Sequence, residues 1–313
     1  MSEHPVGEFM RTIGDRQWSI GGLFCLSLSP KPILGAKCNW SDGKGLSYSV
    51  TNMTQETQPG KAQEDFPVVH EAGMNSGHIV WKIGEAFLKL VIPHSKNVTR
   101  EHVTLDAVKD MLSADTFAIP RVLFHGDWNG RYFLAVTEMP GVNLHEAWPK
   151  MSEELKSACV QHVTDLCLTL AENVREKISG IDGNHLPELY LTKNDQADSE
   201  TFAPLTLERT CKEIGMDCSD LRFYHCDLIP GNIIVDLKRQ SFAVIDWECA
   251  GFVPQEWIGT KCAVNEAMRL ERPENCNVDQ YSEQWRKRIV ESLTSRGFGN
   301  VASCSWEWFR HKK

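Results

Sequence analysis

The chain has no C-x-x-C pair, although 11 of its 313 residues are cysteine. That absence, with the odd count, argues against a structural zinc site or a disulfide framework and for reduced thiols in a cytoplasmic setting. A long apolar run is also missing. The richest N-terminal stretch, residues 18–28, is broken by serines and follows Glu3, Glu8 and Asp15. A secretory leader has a basic start and a cleaner apolar core, so none is expected. Nothing approaches the roughly 20 apolar residues that span a bilayer. Positive charge is in deficit: 33 Lys and Arg against 42 Asp and Glu leave a net charge of −9. Such a chain is a poor general binder of nucleic acid or anionic membranes, and neither is expected as a partner. No internal repeat is visible. What is present, 42% hydrophobic and 24% charged residues, suits a globular chain of one large domain or two lobes.

Residues 1–66 mix Gly/Ser/Lys-rich and polar stretches and read as an N-terminal extension ending in a loop. Residues 67–139 read as a small sheet-rich unit. Strand signals over 78–83 and 86–92 flank Gly84-Glu85, and those over 122–125 and 131–137 flank Asn129-Gly130, a strong hairpin signal. Between them, the spacing of Leu105, Val108 and Leu112 predicts a helix over 97–112 with Glu101 on the same face. Pro140-Gly141 breaks the pattern and opens a more helical part, 140–313. Ser152 starts a long amphipathic helix whose stripe runs from Leu155 through Val174 to Ile178. A further helix is expected over 206–216, short strands over 233–236 and 242–245, and a mostly helical tail from 254.

The segment most informative about chemistry is His225-Cys226-Asp227-Leu228-Ile229-Pro230-Gly231-Asn232, with Ile245-Asp246-Trp247-Glu248 downstream. The first fits H-x-D-x-x-x-x-N, a kinase catalytic-loop spacing. Asn232 precedes one predicted strand and Asp246 follows the next. If these strands form an antiparallel hairpin, its open ends are adjacent, about 4.8 Å apart. Asn232 and Asp246 then emerge side by side, with Asp227 on the same rim. Two carboxylates and an amide oxygen are hard donors suited to Mg²⁺.

HCDLIPGNIIVD (225–236), VIDWECAGFVPQEW (244–257) and TEMPGVNL (137–144) resemble the aminoglycoside phosphotransferase and choline kinase family, and the second run looks especially like its fungal members. The resemblance covers roughly residues 67–270. It implies an α+β, two-lobed protein-kinase-like fold, with a small antiparallel-sheet N-lobe and a mostly helical C-lobe. It implies transfer of the γ-phosphate of ATP, with Mg²⁺, to a hydroxyl or amine of a small-molecule acceptor.

Roles follow from the same resemblance. Asp227 would be the catalytic base and His225 would brace its loop; Asn232 and Asp246 would hold Mg²⁺. Lys89 would contact the α- and β-phosphates and pair with Glu101. Asn75 and Ser76, in the loop 73–77, would cover the phosphates. Glu138 and Met139 would hold adenine through backbone groups, since Pro140 has no N–H. Trp247, Trp257 and Glu256 are candidates for a cationic acceptor pocket, with core packing the alternative for both tryptophans. Cys226 stands where the family usually has Gly, which matters if that position needs positive φ. The missing D-F-G and A-P-E segments argue against a protein kinase. A catalytically inactive kinase-like binding protein is the alternative, disfavoured because Lys89, Asp227, Asn232 and Asp246 are all present.

Overall fold

The computed structural model describes residues 9–53, 66–72, 78–113, 116–192, 200–274, 276 and 280–310. The expected loop residues Asn75 and Ser76 lie outside the described residues. The chain divides into two compact units, Met1–Pro93 with Pro120–Glu138, and His94–Ile119 with Met139–Lys313.

The first unit holds two antiparallel sheets of five strands. Strands β1 (Met10–Gly14), β2 (Gln17–Ile20), β3 (Phe24–Ser29), β4 (Cys38–Ser41) and β5 (Ser47–Asn52) lie in the order β1-β2-β3-β5-β4. Residues 10–52, which the sequence suggests as an extension, are thus an ordered sheet. Its clearest mark is Gly21-Gly22, both at positive φ, between the apolar residues Trp18 and Ile20 and the apolar residues Phe24 and Leu26. The second sheet comprises β6 (Val68–Ala72), β7 (His78–Ile83), β8 (Ala86–Val91), and, beyond the helix described below, β9 (Val122–Trp128) and β10 (Arg131–Thr137), in the order β6-β7-β8-β10-β9. Both hairpin turns expected here are present. Asn129 and Gly130 adopt positive φ, which a two-residue turn matching the strand twist requires. The two sheets share one core. Phe24 meets Phe124 and Phe133 at 5.5 and 6.1 Å, and the Trp40 indole donates to the Ile83 carbonyl at 2.7 Å.

The second unit is mostly helical. Helix α1 (Glu101–Met111) belongs to it, although the sequence suggests that this helix goes with the N-terminal sheet. A two-residue strand β11 (Val142–Asn143), α2 (Leu144–Ala147) and α3 (Glu153–Ala171) follow. Ser152 caps α3 by accepting from the Leu155 amide at 3.2 Å. The expected continuation of this helix through Val174 and Ile178 does not occur. The chain leaves it at Asn173, whose carbonyl accepts from the Phe223 amide at 3.0 Å, and Val174 is exposed in the short strand β12 (Val174–Arg175). Helix α4 (Pro204–Ile214) leads to β13 (Leu221–Tyr224), β14 (Ile233–Asp236), β15 (Ser241–Val244) and β16 (Gly251–Pro254). These complete two small sheets, β11-β14-β15 and β12-β13-β16. Helices α5 (Gln255–Val264), α6 (Gln284–Ser295) and α7 (Ala302–Arg310) form the tail. No helix among the described residues is long and apolar enough to cross a membrane.

Candidate functional site

Strand β13 ends at Tyr224 and releases the loop 225–232, which returns as β14. The hairpin β14–β15 pairs Ile233 with Val244, so its open end carries Asn232 on one side and Ile245-Asp246 on the other. One further bond closes that end, from the Ile245 amide to the Asn232 carbonyl at 3.0 Å. Asn232 is buried, and its Nδ2 donates to the Asp227 carbonyl and to Asp227 Oδ2, both at 2.9 Å. This arrangement leaves the Asn232 amide oxygen as the donor atom for a cation.

His225 is fully buried and joins the loop to the strand before Asp246. The Asp227 amide donates to its Nδ1 at 3.2 Å, so Nδ1 is unprotonated and Nε2–H donates to the Ile245 carbonyl at 3.1 Å. Its ring lies edge-on to the Trp247 indole at 4.5 Å. With both nitrogens engaged, the imidazole fixes the spacing between Asp227 and Asp246. Cys226 sits at φ 64°, the left-handed region that favours glycine, with its side chain wholly buried. Burial pushes its thiol pKa well up, so it is a protonated packing group rather than a reactive thiolate.

Burial raises the pKa of the Asp227 carboxyl to about 6, against the opposing pull of the Lys261 ammonium; Asp246 and Glu188 add to the rise. Asp246 has φ 66°, a conformation Asp tolerates better than most residues. It opens the turn Trp247–Cys249, against which α1 packs. From that helix Glu101, 4% exposed, accepts from the Trp247 amide at 3.2 Å. One oxygen each from Glu101, Asp246 and Glu248 lie within 4.8 Å of one another. Carboxylate oxygens are hard donors of the kind Mg²⁺ takes, and so is the amide oxygen of Asn232. The contribution of Glu248 is not readable from the sequence, because only the turn after Asp246 brings it back.

Elsewhere, Lys89 lies on β8, the middle strand of its sheet, paired with Leu134 and Val80. Its neighbours Leu88 and Leu90 face the core, which puts Lys89 on the opposite face. Glu138 donates its amide to the Glu85 carbonyl at 2.9 Å and accepts from Lys82 Nζ at 2.6 Å. Trp247 and Trp257 are fully buried and form core rather than pocket wall. Glu256 accepts from the Asp217 amide at 3.4 Å.

One buried ion pair escaped the sequence reading. Lys261 on α5 donates to Glu188 at 2.6 Å, and the side chains are 7% and 1% exposed. Burial opposes the lysine charge, but Glu188 and Asp227 outweigh it and hold its pKa above the ordinary value. The signal available was a single cation among the mostly apolar residues 257–264 of the helix Gln255–Val264.

No curated protein matches the sequence. Among solved structures, an aminoglycoside phosphotransferase from Streptomyces rimosus is 17% identical, with a TM-score of 0.45 over 79% of this chain and 90% of that one. An aminoglycoside-3'-phosphotransferase of type VIII is 16% identical, at 0.45 over 79% and 92%. A choline kinase from Streptococcus pneumoniae is 14% identical, at 0.40 over 79% and 92%. The family model of the phosphotransferase enzymes matches residues 78–255, more than half of the chain and all of the loop-and-hairpin site. The chain therefore belongs to the phosphotransferase enzyme family.

Proposed function

We propose that the protein is an ATP- and Mg²⁺-dependent phosphotransferase that moves the γ-phosphoryl group to a hydroxyl or amine of a small molecule. The observation that carries this is the fixed set of Asp227, Asn232 and Asp246, tied together by the Asn232 amide and the His225 ring. Phosphoryl transfer asks the protein mainly for positioning and charge neutralisation. Asp227 orients the acceptor hydroxyl or amine and receives its proton. Asn232 holds that carboxylate in one rotamer, and His225 holds the loop against β15. Asn232 and Asp246 would hold Mg²⁺, with Glu101 and Glu248 beside Asp246; the ion, when bound, supplies neutralisation of phosphate charge. Lys89 would bind phosphate oxygens, and Glu138 and Met139 the adenine, through the roles the family resemblance gives them.

Thermal unfolding with ATP, with and without Mg²⁺, tests this on the parent and on Asp246→Ala. Ligand at about 100 times its dissociation constant adds roughly 2.7 kcal/mol, a rise of a few degrees in midpoint. The expected result is a Mg²⁺-dependent rise in the parent that Asp246→Ala loses. No rise at millimolar nucleotide would overturn the proposal.

A further inference from the structure

An ammonium group taken out of water needs a carboxylate partner with its own hydrogen bonds satisfied, and gains further from an aromatic face. The second unit builds such a box beside Asp227. Glu188 supplies the carboxylate, fixed by the Tyr190 amide at 3.0 Å on one oxygen and by the Trp257 indole at 3.3 Å on the other. Tyr190 supplies the face, and its hydroxyl donates to Asn265 Oδ1 at 2.8 Å, which holds the ring. The Lys261 ammonium fills the box, 2.6 Å from Glu188 Oε1 and 4.1 Å from the Tyr190 ring centroid. The box adjoins the catalytic loop: the Tyr224 hydroxyl, three residues before Asp227, meets the Cys262 thiol at 3.4 Å, and the Cys249 thiol donates to the Pro187 carbonyl at 3.6 Å, so that Lys261 and Glu188 both act on the Asp227 charge. Glu188 and Lys261 are buried, while Tyr190 is half-buried.

We propose that Lys261 is a tethered occupant of a cation-binding box beside the catalytic loop and so determines acceptor specificity: the acceptor presents an uncharged, hydroxyl-bearing face to Tyr190, not an ammonium. The proposal rests on Asp227 receiving the acceptor. Both oxygens of Glu188 are already engaged, and a second cation at the ring would stand against the lysine in a medium of low dielectric. The Trp257 ring also faces this ammonium, 6.0 Å from its centroid, and being fully buried it offers no face to an acceptor.

The test compares the parent with Lys261→Ala by thermal unfolding, without nucleotide, in 100 mM ethylammonium chloride, 100 mM sodium chloride or 100 mM ethanol. Vacating the box leaves its carboxylate and ring to a free ammonium. Ethylammonium is expected to raise the variant's midpoint by about 4 °C or more, with the parent unmoved and with neither control acting. An equal effect on both proteins, or none on either, overturns the proposal. If Lys261→Ala does not fold in sodium chloride, a cooperative transition recovered only in ethylammonium supports it, and no recovery overturns it. In the parent, choline is expected to leave the midpoint unchanged. A choline-dependent rise that Tyr190→Leu abolishes overturns the acceptor assignment. These readouts need no nucleotide, so they are independent of the Mg²⁺·ATP experiment, and either can fail without the other.

Discussion

The Asn232 side-chain nitrogen donates to both the carbonyl and the carboxylate of Asp227, at 2.9 Å each. One residue therefore fixes the backbone and the rotamer of the proposed base while turning its own oxygen elsewhere. The two side chains should be separable by mutation. Asp227→Asn keeps a similar shape but cannot take a proton; its turnover should fall by about 10²- to 10⁴-fold, while the Mg²⁺·ATP-dependent rise in unfolding midpoint persists. Asn232→Ala should lose both, because it frees Asp227 and removes a cation donor. Initial rates and thermal shifts measured on the same preparations decide this. Transfer by Asp227→Asn at the parent's rate would sink the assignment.

Cys226 occupies a glycine-like conformation, φ 64°, yet fills its space completely. Two terms then oppose each other on truncation. Removing the buried sulfur costs on the order of 1 kcal/mol, as for other small core deletions. Removing the Cβ as well relieves about 1–2 kcal/mol of left-handed strain. Cys226→Ala keeps the strain and loses the packing, so it should destabilise by about 1 kcal/mol. Cys226→Gly should destabilise less despite deleting more atoms. Urea midpoints at constant slope measure the order; the reverse order would mean that the loop stores no strain at this residue.

The legible parts of this fold were those in which a local conformational demand coincides with a residue type. Asn129-Gly130 and Ser152 each did one local job and marked their elements. The loop 225–232 and the hairpin after it were readable because Asn232 and Asp246 flank strands whose pairing dictates where they emerge. The first sheet was harder. Its strands are four to six residues long, and residues 18–28 merge two of them into what looks like one apolar run until Gly21-Gly22 is taken as a turn. Periodicity also misled, since apolar spacing alone carried the third helix past Asn173 to Val174. Contacts such as Glu101 to Trp247 and Lys261 to Glu188, 146 and 73 residues apart, leave no local pattern.

His162, on α3, is wedged between Phe117 and Phe242, with ring centroids 5.0 and 5.2 Å away. Burial holds its pKa below the usual 6.5, with Asp165 pulling the other way. The unfolded chain therefore binds more protons than the folded one at pH just below 6.5, and stability falls as pH drops into that window. His162→Phe removes this contribution and any packing change it brings is independent of pH. Between pH 7 and pH 5 the variant should lose less stability than the parent in paired denaturant titrations. Parallel curves for the two proteins would show that the histidine is not held neutral.

Gly141 lies one residue before β11, at φ 126°. A methyl group there would stand 2.4 Å from the Val235 carbonyl oxygen, 2.5 Å from its carbon and 2.8 Å from the Asp236 nitrogen. All three are backbone atoms of β14, so no side chain can rotate to make room. Relief has to come from displacing β14 or from unpairing Val142 from Val235. Strand β14 begins at the residue after Asn232, so the same displacement reaches the site. Gly141→Ala should lose about 3 kcal/mol or more, combining the clash with a backbone conformation that alanine disfavours. Where it still folds, its kcat should fall with Asn232 displaced from Asp227. Gly183→Ala makes the control: it is also at positive φ, 85°, but a methyl group there meets nothing within 4 Å, so it carries the conformational cost without the clash. A denaturant midpoint for Gly141→Ala no lower than that of Gly183→Ala would mean that the contact with β14 does not hold the hairpin in place.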